Sequence, residues 1–279
     1  MSDRPKVLDH LGAYANHPPV GAFGSISDRA VGLYREAAGG HVRQNETPTQ
    51  HLTTRMMYIS EATSLALRLN ASWALSHPAL SLLRDRYEQV VRFSWLARQP
   101  DNAAMAKYIA SYYAKANKLH RSMPEGARDL YVKRGFPVED WMTEKPTKEL
   151  EKWLNEWNGL DLRSMVEKRD KLPPLSDWAI AKEKLSWMYD HIYAQFSSVT
   201  HYDMYSMTIL GLFPAPSGQL VLAPDPSFPA VINLHNSFFD LVQCFEATRR
   251  FLGVDFDSKF DGLLDEWRET AKKTVSKPA

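Results

Sequence analysis

The sequence predicts an all-α protein: an antiparallel helical bundle of about five long helices, with a helical insertion and one small β-hairpin. Three observations predict it. Long segments carry apolar residues at helical spacing, very short turns join them, and Pro-marked starts and Gly stops punctuate the chain. Residues 1–24 carry prolines and glycines with no clear period and read as an N-terminal arm. "SISDRAVGLYREAAGG" reads as a short helix with Ser27 as N-cap and Gly39-Gly40 as its stop. "TPTQHLTTRMMYISEATSLALRLNASWAL" follows, with Thr47 as cap and Pro48 at the first helical position. Its apolar residues wrap widely, which predicts a central helix.

"SHPALSLLRDRYEQVVRFSWLARQPD" opens with Ser76 or His77 before Pro78 and closes before Pro100. Asp101 starts "DNAAMAKYIASYYAKANKLH", which ends near Pro124. Three long helices joined by very short turns are expected to be antiparallel neighbours. Residues 125–175 are shorter-pieced, charged and Pro-rich, and read as a helical insertion or lid; Trp153 and Trp157 in it are helically spaced and are expected to pack onto the bundle. Ser176 to Gly211 is the longest periodic run. Residues 212–228 read as a hairpin, with Ser217-Gly218 as turn and "QLVLA" as strand. Two helices finish the chain. The bundle domain is thus expected over 25–253, with 254–279 as a C-terminal helix.

Composition narrows the function. The 279 residues are 44% hydrophobic and 24% charged, and 34 basic against 33 acidic residues leave a formal net charge of +1. No global field advertises nucleic acid or a membrane surface. The single cysteine, Cys244, cannot form an internal disulfide and reads as a buried filler. The N-terminus has no long apolar run, and no segment approaches the ~18 apolar residues of a membrane span. A reducing cytoplasm fits this pattern.

Two polar stripes are the candidate sites. In "YAQFSSVTHYDMYSM", Tyr193, Ser197 and His201 share a helical stripe with Asp190, beside a core stripe of Leu185, Met188, Tyr189, Ile192, Phe196 and Val199. In "LLRDRYEQVVRFSWL", Arg84, Glu88 and Arg92 lie on one face among Leu83, Tyr87, Val90, Val91 and Trp95. An arginine there could hold an anion, oriented by Glu88. The same stripes read equally as hydrogen-bonded seams that set helix register. Arg86 and Asp85 are expected to be solvated, and Glu61 and Arg68 to pair with a neighbouring helix. No Gly-rich phosphate loop, His-Glu-x-x-His or Glu-x-x-His pattern occurs. His191 and His201 fall about 80° apart on a helical wheel, so with Asp203 they make a poor metal site.

The spacing Arg84-x-x-x-Glu88, followed about a hundred residues later by Tyr193-x-x-x-Ser197-x-x-x-His201, resembles a family of bacterial helical proteins known only as a domain of unknown function. The resemblance covers roughly residues 50 to 253. More distantly, the chain is similar to HEPN proteins, helical bundles, often dimeric, many of which are RNA-cleaving toxins or phage-defence effectors. Their hallmark is an Arg followed by four to six residues and a His on one helix. Here one such pattern, with five intervening residues, runs from Arg35 to His41 through "AAGG", and His201 has Ser197 and Tyr193 behind it.

Two functions are therefore carried forward. The first is a non-catalytic binding or assembly module of a bacterial defence or stress system, in which the two stripes meet inside the bundle. The alternative is a HEPN-like, metal-independent endoribonuclease. In that alternative His201 is general acid or base, Arg84 stabilises the phosphorane charge, and Tyr193 and Ser197 hold substrate or orient the imidazole. A second copy of the chain or another protein is the expected partner, with RNA belonging to the alternative. No cofactor, metal or membrane is expected.

Overall fold

One helix is buried on almost every side. In the computed structural model it spans Ser227–Leu252, and nearly every residue from Ala230 to Thr248 is shielded from solvent. The structure describes residues 12–41, 47–73, 75–134, 147–175, 177, 182–194, 197, 212–214, 220–222, 227–254 and 257–275. The helices in chain order are α1 (Pro18–His41), α2 (Pro48–Ser72), α3 (Ser76–Ala97), α4 (Ala103–Ser122), α5 (Glu125–Lys133), α6 (Lys148–Asn158) and α7 (Leu162–Asp170). One α-turn, α8 (Leu185–Met188), runs directly into a π-helical stretch, Tyr189–Tyr193. A two-stranded antiparallel pair, β1 (Leu212–Pro214) and β2 (Leu220–Leu222), aligns Phe213 with Val221. The buried helix is α9, and α10 (Asp257–Val275) follows it. Gly253, at φ 66°, ends α9 in the left-handed conformation that suits glycine after a helix.

The chain forms two compact units, residues 1–98 with 166–279, and Gln99–Met165. In the larger unit α9 packs on α1, α2 and α3, and α10 packs on α1. α2 also packs on three helices, α1, α3 and α9, as expected of a central helix, while α9 is the more deeply buried of the two.

Helix starts follow local chemistry. Thr47 Oγ1 accepts from the Gln50 N–H at 3.3 Å while Gln50 Oε1 accepts from the Thr47 N–H at 3.0 Å, a reciprocal cap with Pro48 behind it. Asp101 Oδ1 accepts from the Ala103 N–H at 2.9 Å at the start of α4. Leu75 precedes α3 without any side-chain cap, and the helix begins at Ser76.

Three readings of the sequence are corrected. The arm expected over 1–24 is helical from Pro18, because Val20, Phe23, Ile26, Ala30 and Tyr34 form one buried stripe and proline suits a first helical turn. Ser27 is then a buried mid-helix residue and not a cap, and α1 continues past Gly39-Gly40 to His41. At Gly24 the Arg68 guanidinium occupies the space that a Cβ would take. Second, α4 belongs with the smaller unit: it packs on α6, and Tyr108 meets the buried Trp157 at 4.7 Å. The compact unit that holds the expected insertion thus runs from Gln99 to Met165 and includes α4. Third, the run from Ser176 is not one helix. Lys184 is extended (φ −80°, ψ 120°) and the helix starts after it. Ser176, Phe196, Val199 and the turn Ser217-Gly218 lie outside the described residues.

Candidate functional site

The stretch Leu185–Tyr193 is the centre of the candidate site, and polar contacts hold it at several points. Asp170, at the end of α7, accepts from the Leu185 and Ser186 N–H groups at 3.0 and 2.9 Å, satisfying donors that a helix start leaves open. Those hydrogen bonds help hold the Asp170 carboxyl below its usual range despite the opposing, larger effect of burial. From α3, the Tyr87 hydroxyl donates to the Leu185 carbonyl at 2.8 Å. Burial, with the nearby carboxylates Asp240 and Asp170, pushes that phenol well above its ordinary pKa.

Further along, the Tyr193 hydroxyl donates to Glu88 Oε1 at 2.9 Å, joining residues 105 positions apart. Glu88 Oε2 receives Arg92 Nη2 at 2.9 Å, and Arg84 Nε stands 3.8 Å from Oε1. The Arg84 guanidinium lies 5.9 Å from the Tyr193 ring centre, within cation–π range. Tyr193 stacks on Tyr189 and tilts against Tyr87, both at 5.2 Å. Burial first, then the hydrogen bond and charge of Glu88, raise the Tyr193 pKa against the pull of Arg84. The phenol is thereby held protonated, as a donor.

Arg84, Glu88, Arg92 and Tyr193 are thus brought together, with Arg84, Glu88 and Arg92 partly exposed. Asp190 is exposed on the π-helical stretch and Ser197 is half-buried. His201 lies outside the described residues. The π-helical stretch explains why a regular wheel misplaces neighbours: its i→i+5 bonds insert one residue per turn and rotate every later position. Leu185 and Met188, ahead of it, are buried as the core stripe requires, whereas Tyr189 and Ile192 within it are only half-buried.

The ionic groups that matter most inside the larger unit are ones that helical spacing does not single out. Glu246 of α9, fully buried, receives Arg98 through Nε at 3.0 Å and Nη2 at 2.9 and 3.0 Å. It also accepts from the Ser94 hydroxyl at 3.3 Å and the Leu175 N–H at 3.0 Å. Arg169, equally buried, donates to Ser94 Oγ (2.9 Å), Gln243 Oε1 (2.7 Å), Asp170 Oδ1 (3.0 Å) and the Glu183 carbonyl (2.7 Å). Burial, followed by the charge of Arg98, lowers the Arg169 pKa.

Arg86 corrects an expectation outright. Asp85 is exposed as expected, but Arg86 is 1% exposed. Its Nη1 donates to the Ser60 carbonyl at 3.0 Å and to Ser64 Oγ at 2.6 Å, while Nε and Nη2 have no partner among the described residues. Arg86 falls three residues from Leu83 and four from Val90, on the buried stripe itself. Its charge opposes the burial that pushes the Asp240 carboxyl of α9 up to about 7. Glu61 and Arg68 each pair with α1, Glu61 with Arg35 Nη2 at 2.7 Å and Arg68 with Asp28 at 3.4 Å. The sequence does carry a signal for the buried acids: Asp240, Gln243 and Glu246 recur every three residues inside the otherwise apolar "FFDLVQCFEATRRF".

Among the described residues, this arrangement orients and presents a segment. Among the described residues no group of three or more His, Cys, Asp or Glu side chains could hold a metal ion. No described helix is long and apolar enough to cross a membrane.

No curated protein and no solved structure matches the chain. One family model does, and it spans residues 48–211. The match takes in α2, α3, the smaller unit and the whole of Leu185–Tyr193, with Ser197 and His201, and stops before α9 instead of reaching 253 as the sequence resemblance suggested. Covering more than half of the sequence, it establishes that the chain belongs to DUF5677, a family of unknown function.

Proposed function

We infer that this protein is a non-catalytic binding or assembly module that presents the Leu185–Tyr193 segment as a rigid recognition element. One observation carries the reading: the polar groups of the candidate site close on one another. Both Glu88 oxygens are engaged, by Tyr193 and by Arg92. Tyr193 is held as a protonated donor to Glu88, so the phenol is not poised as a base. The partner class we assign is a protein or a second copy of the chain. A setting in bacterial defence or stress rests on the distant HEPN resemblance alone.

The test is incubation of purified protein with total RNA. The reading expects no cleavage by the wild type. Cleavage that disappears in His201→Ala or Arg84→Ala would replace it with the endoribonuclease.

A further inference from the structure

On its other side the Leu185–Tyr193 segment borders a cavity of about 320 Å³, at the lower end of the range typical of small-molecule sites. Lys184, Trp187, Met188 and Ile192 form one wall, and α9 and α10 the other, through His235, Asn236, Phe239 and Trp267. Its lining has a definite chemistry. Trp187 is 59% exposed, an unusual state for the largest apolar side chain, and its only ring neighbour among the described residues is His191, at 5.2 Å.

Asn236 is 5% exposed and lines the cavity. The buried Trp267 indole N–H in the lining has no partner among the described residues, a costly state that is rare in native proteins. His235 leans on Trp267 at 4.3 Å, and burial lowers its pKa to about 4, so it is a neutral imidazole with one donor and one acceptor. Of the three charged side chains on the rim, Glu183, Lys184 and Arg268, two are cationic; Arg268 is held by Asp265 at 3.2 Å, whereas Lys184 forms no ion pair among the described residues.

We propose that this cavity binds a small planar heteroaromatic ligand that has a donor–acceptor edge and an anionic substituent. The ring would lie on Trp187, its edge would meet the Asn236 carboxamide and the neutral His235, and its charge would face Lys184. Each element answers a feature of the lining: an uncovered aromatic face, a polar cluster of Asn236, neutral His235 and the unpartnered Trp267 N–H, and an ammonium with no ion pair among the described residues. The proposal rests on the reading of this segment as a recognition element and supplies that segment with a ligand.

Ligand-observed NMR titration tests it with three probes. Orotate has the planar ring, the lactam edge and the carboxylate; uracil lacks the charge; dihydroorotate lacks the planarity. Orotate is expected to saturate with a roughly millimolar dissociation constant, and the other two to bind about tenfold more weakly. Asn236→Leu, Trp187→Ala and Lys184→Ala should each weaken orotate by about tenfold. Lys272→Ala, on the exposed face of α10, should leave it unchanged. Trp187 and Lys184 are exposed, so their variants keep the fold, and a circular dichroism melt checks Asn236→Leu. Failure of orotate to saturate into the tens of millimolar overturns the proposal, as does equal affinity for dihydroorotate or undiminished binding by Trp187→Ala and Lys184→Ala. RNA cleavage by the wild type would remove the non-catalytic reading but leave this titration standing, so the two failures are distinguishable.

Discussion

Asp240 and His235 sit five residues apart on α9 and make opposite demands on pH. Burial raises the Asp240 carboxyl from 3.8 to about 7, with Arg86 opposing. The folded chain therefore keeps a proton there that the unfolded chain releases near pH 4. Stability from this group falls as pH rises from about 4 to 7, by ~1.4 kcal/mol per unit, or ~4 kcal/mol over the window. Burial lowers His235 from 6.5 to about 4. Here the unfolded chain takes up the proton first, so stability rises with pH between about 4 and 6.5, by a similar slope and ~3 kcal/mol in total. Between pH 4 and 6.5 the two slopes nearly cancel. Each substitution should unmask the other: Asp240→Asn gains on the parent as pH rises from 4.5 to 8, and His235→Phe gains on it as pH falls from 8 to 4.5. Urea unfolding followed by far-ultraviolet circular dichroism at pH 4.5, 6 and 8 measures both. If each variant's difference from the parent is the same at all three pH values, Asp240 and His235 are not titrating in a buried setting and the reasoning is wrong.

Glu246→Ala leaves the buried Arg98 without its carboxylate and Arg169 with Asp170 alone, and should cost about 3–5 kcal/mol, a fall of roughly 10 °C in Tm. Arg92→Ala, whose pair with Glu88 is partly exposed, should cost only about 0.5 kcal/mol in the same thermal melt. Tyr193→Phe removes a hydrogen bond to a carboxylate and should cost about 1–2 kcal/mol; limited proteolysis should then cut sooner within Leu185–Tyr193, and an unchanged cleavage rate would show that Glu88 does not anchor the segment.

What is legible in the sequence is what local chemistry decides. The Thr47–Gln50 cap and Pro48 belong to one turn, and so do Asp101 and Ala103. The Arg84–Glu88–Arg92 stripe and its approach to Tyr193 follow from spacing and from the need of half-buried charges for partners. Placing Arg86 in solvent weighs residue type over stripe position. On α3 buried positions occur nearly all round, so a charge on the Leu83–Val90 line has to be buried with them. The π-helical stretch has no signature of its own, since one inserted residue is a response to packing and not a propensity. Nor can spacing reveal the Arg98–Glu246–Arg169 group, whose members lie on α9 and at the ends of α3 and α7. Its hint is the acid itself: a carboxylate in a helix with no polar face must find a cation.

That buried group reaches the candidate segment through Arg169, which binds the Glu183 carbonyl just ahead of it and pairs with Asp170, and this explains the expense of an ionic core. An apolar core of equal volume would stabilise the larger unit at least as well. It would not, however, set the position of a short segment whose own helix is one α-turn long and cannot persist alone. Arg169 fixes the approach through the Glu183 carbonyl, Asp170 fixes the first turn through two backbone N–H groups, and Tyr87 takes the Leu185 carbonyl. Glu88 then holds the far end through Tyr193. Every one of these is directional, as a hydrophobic contact is not. The geometry is that of a segment whose placement matters more than its contribution to stability, and the uncovered Trp187 on its outer side is the residue that placement presents.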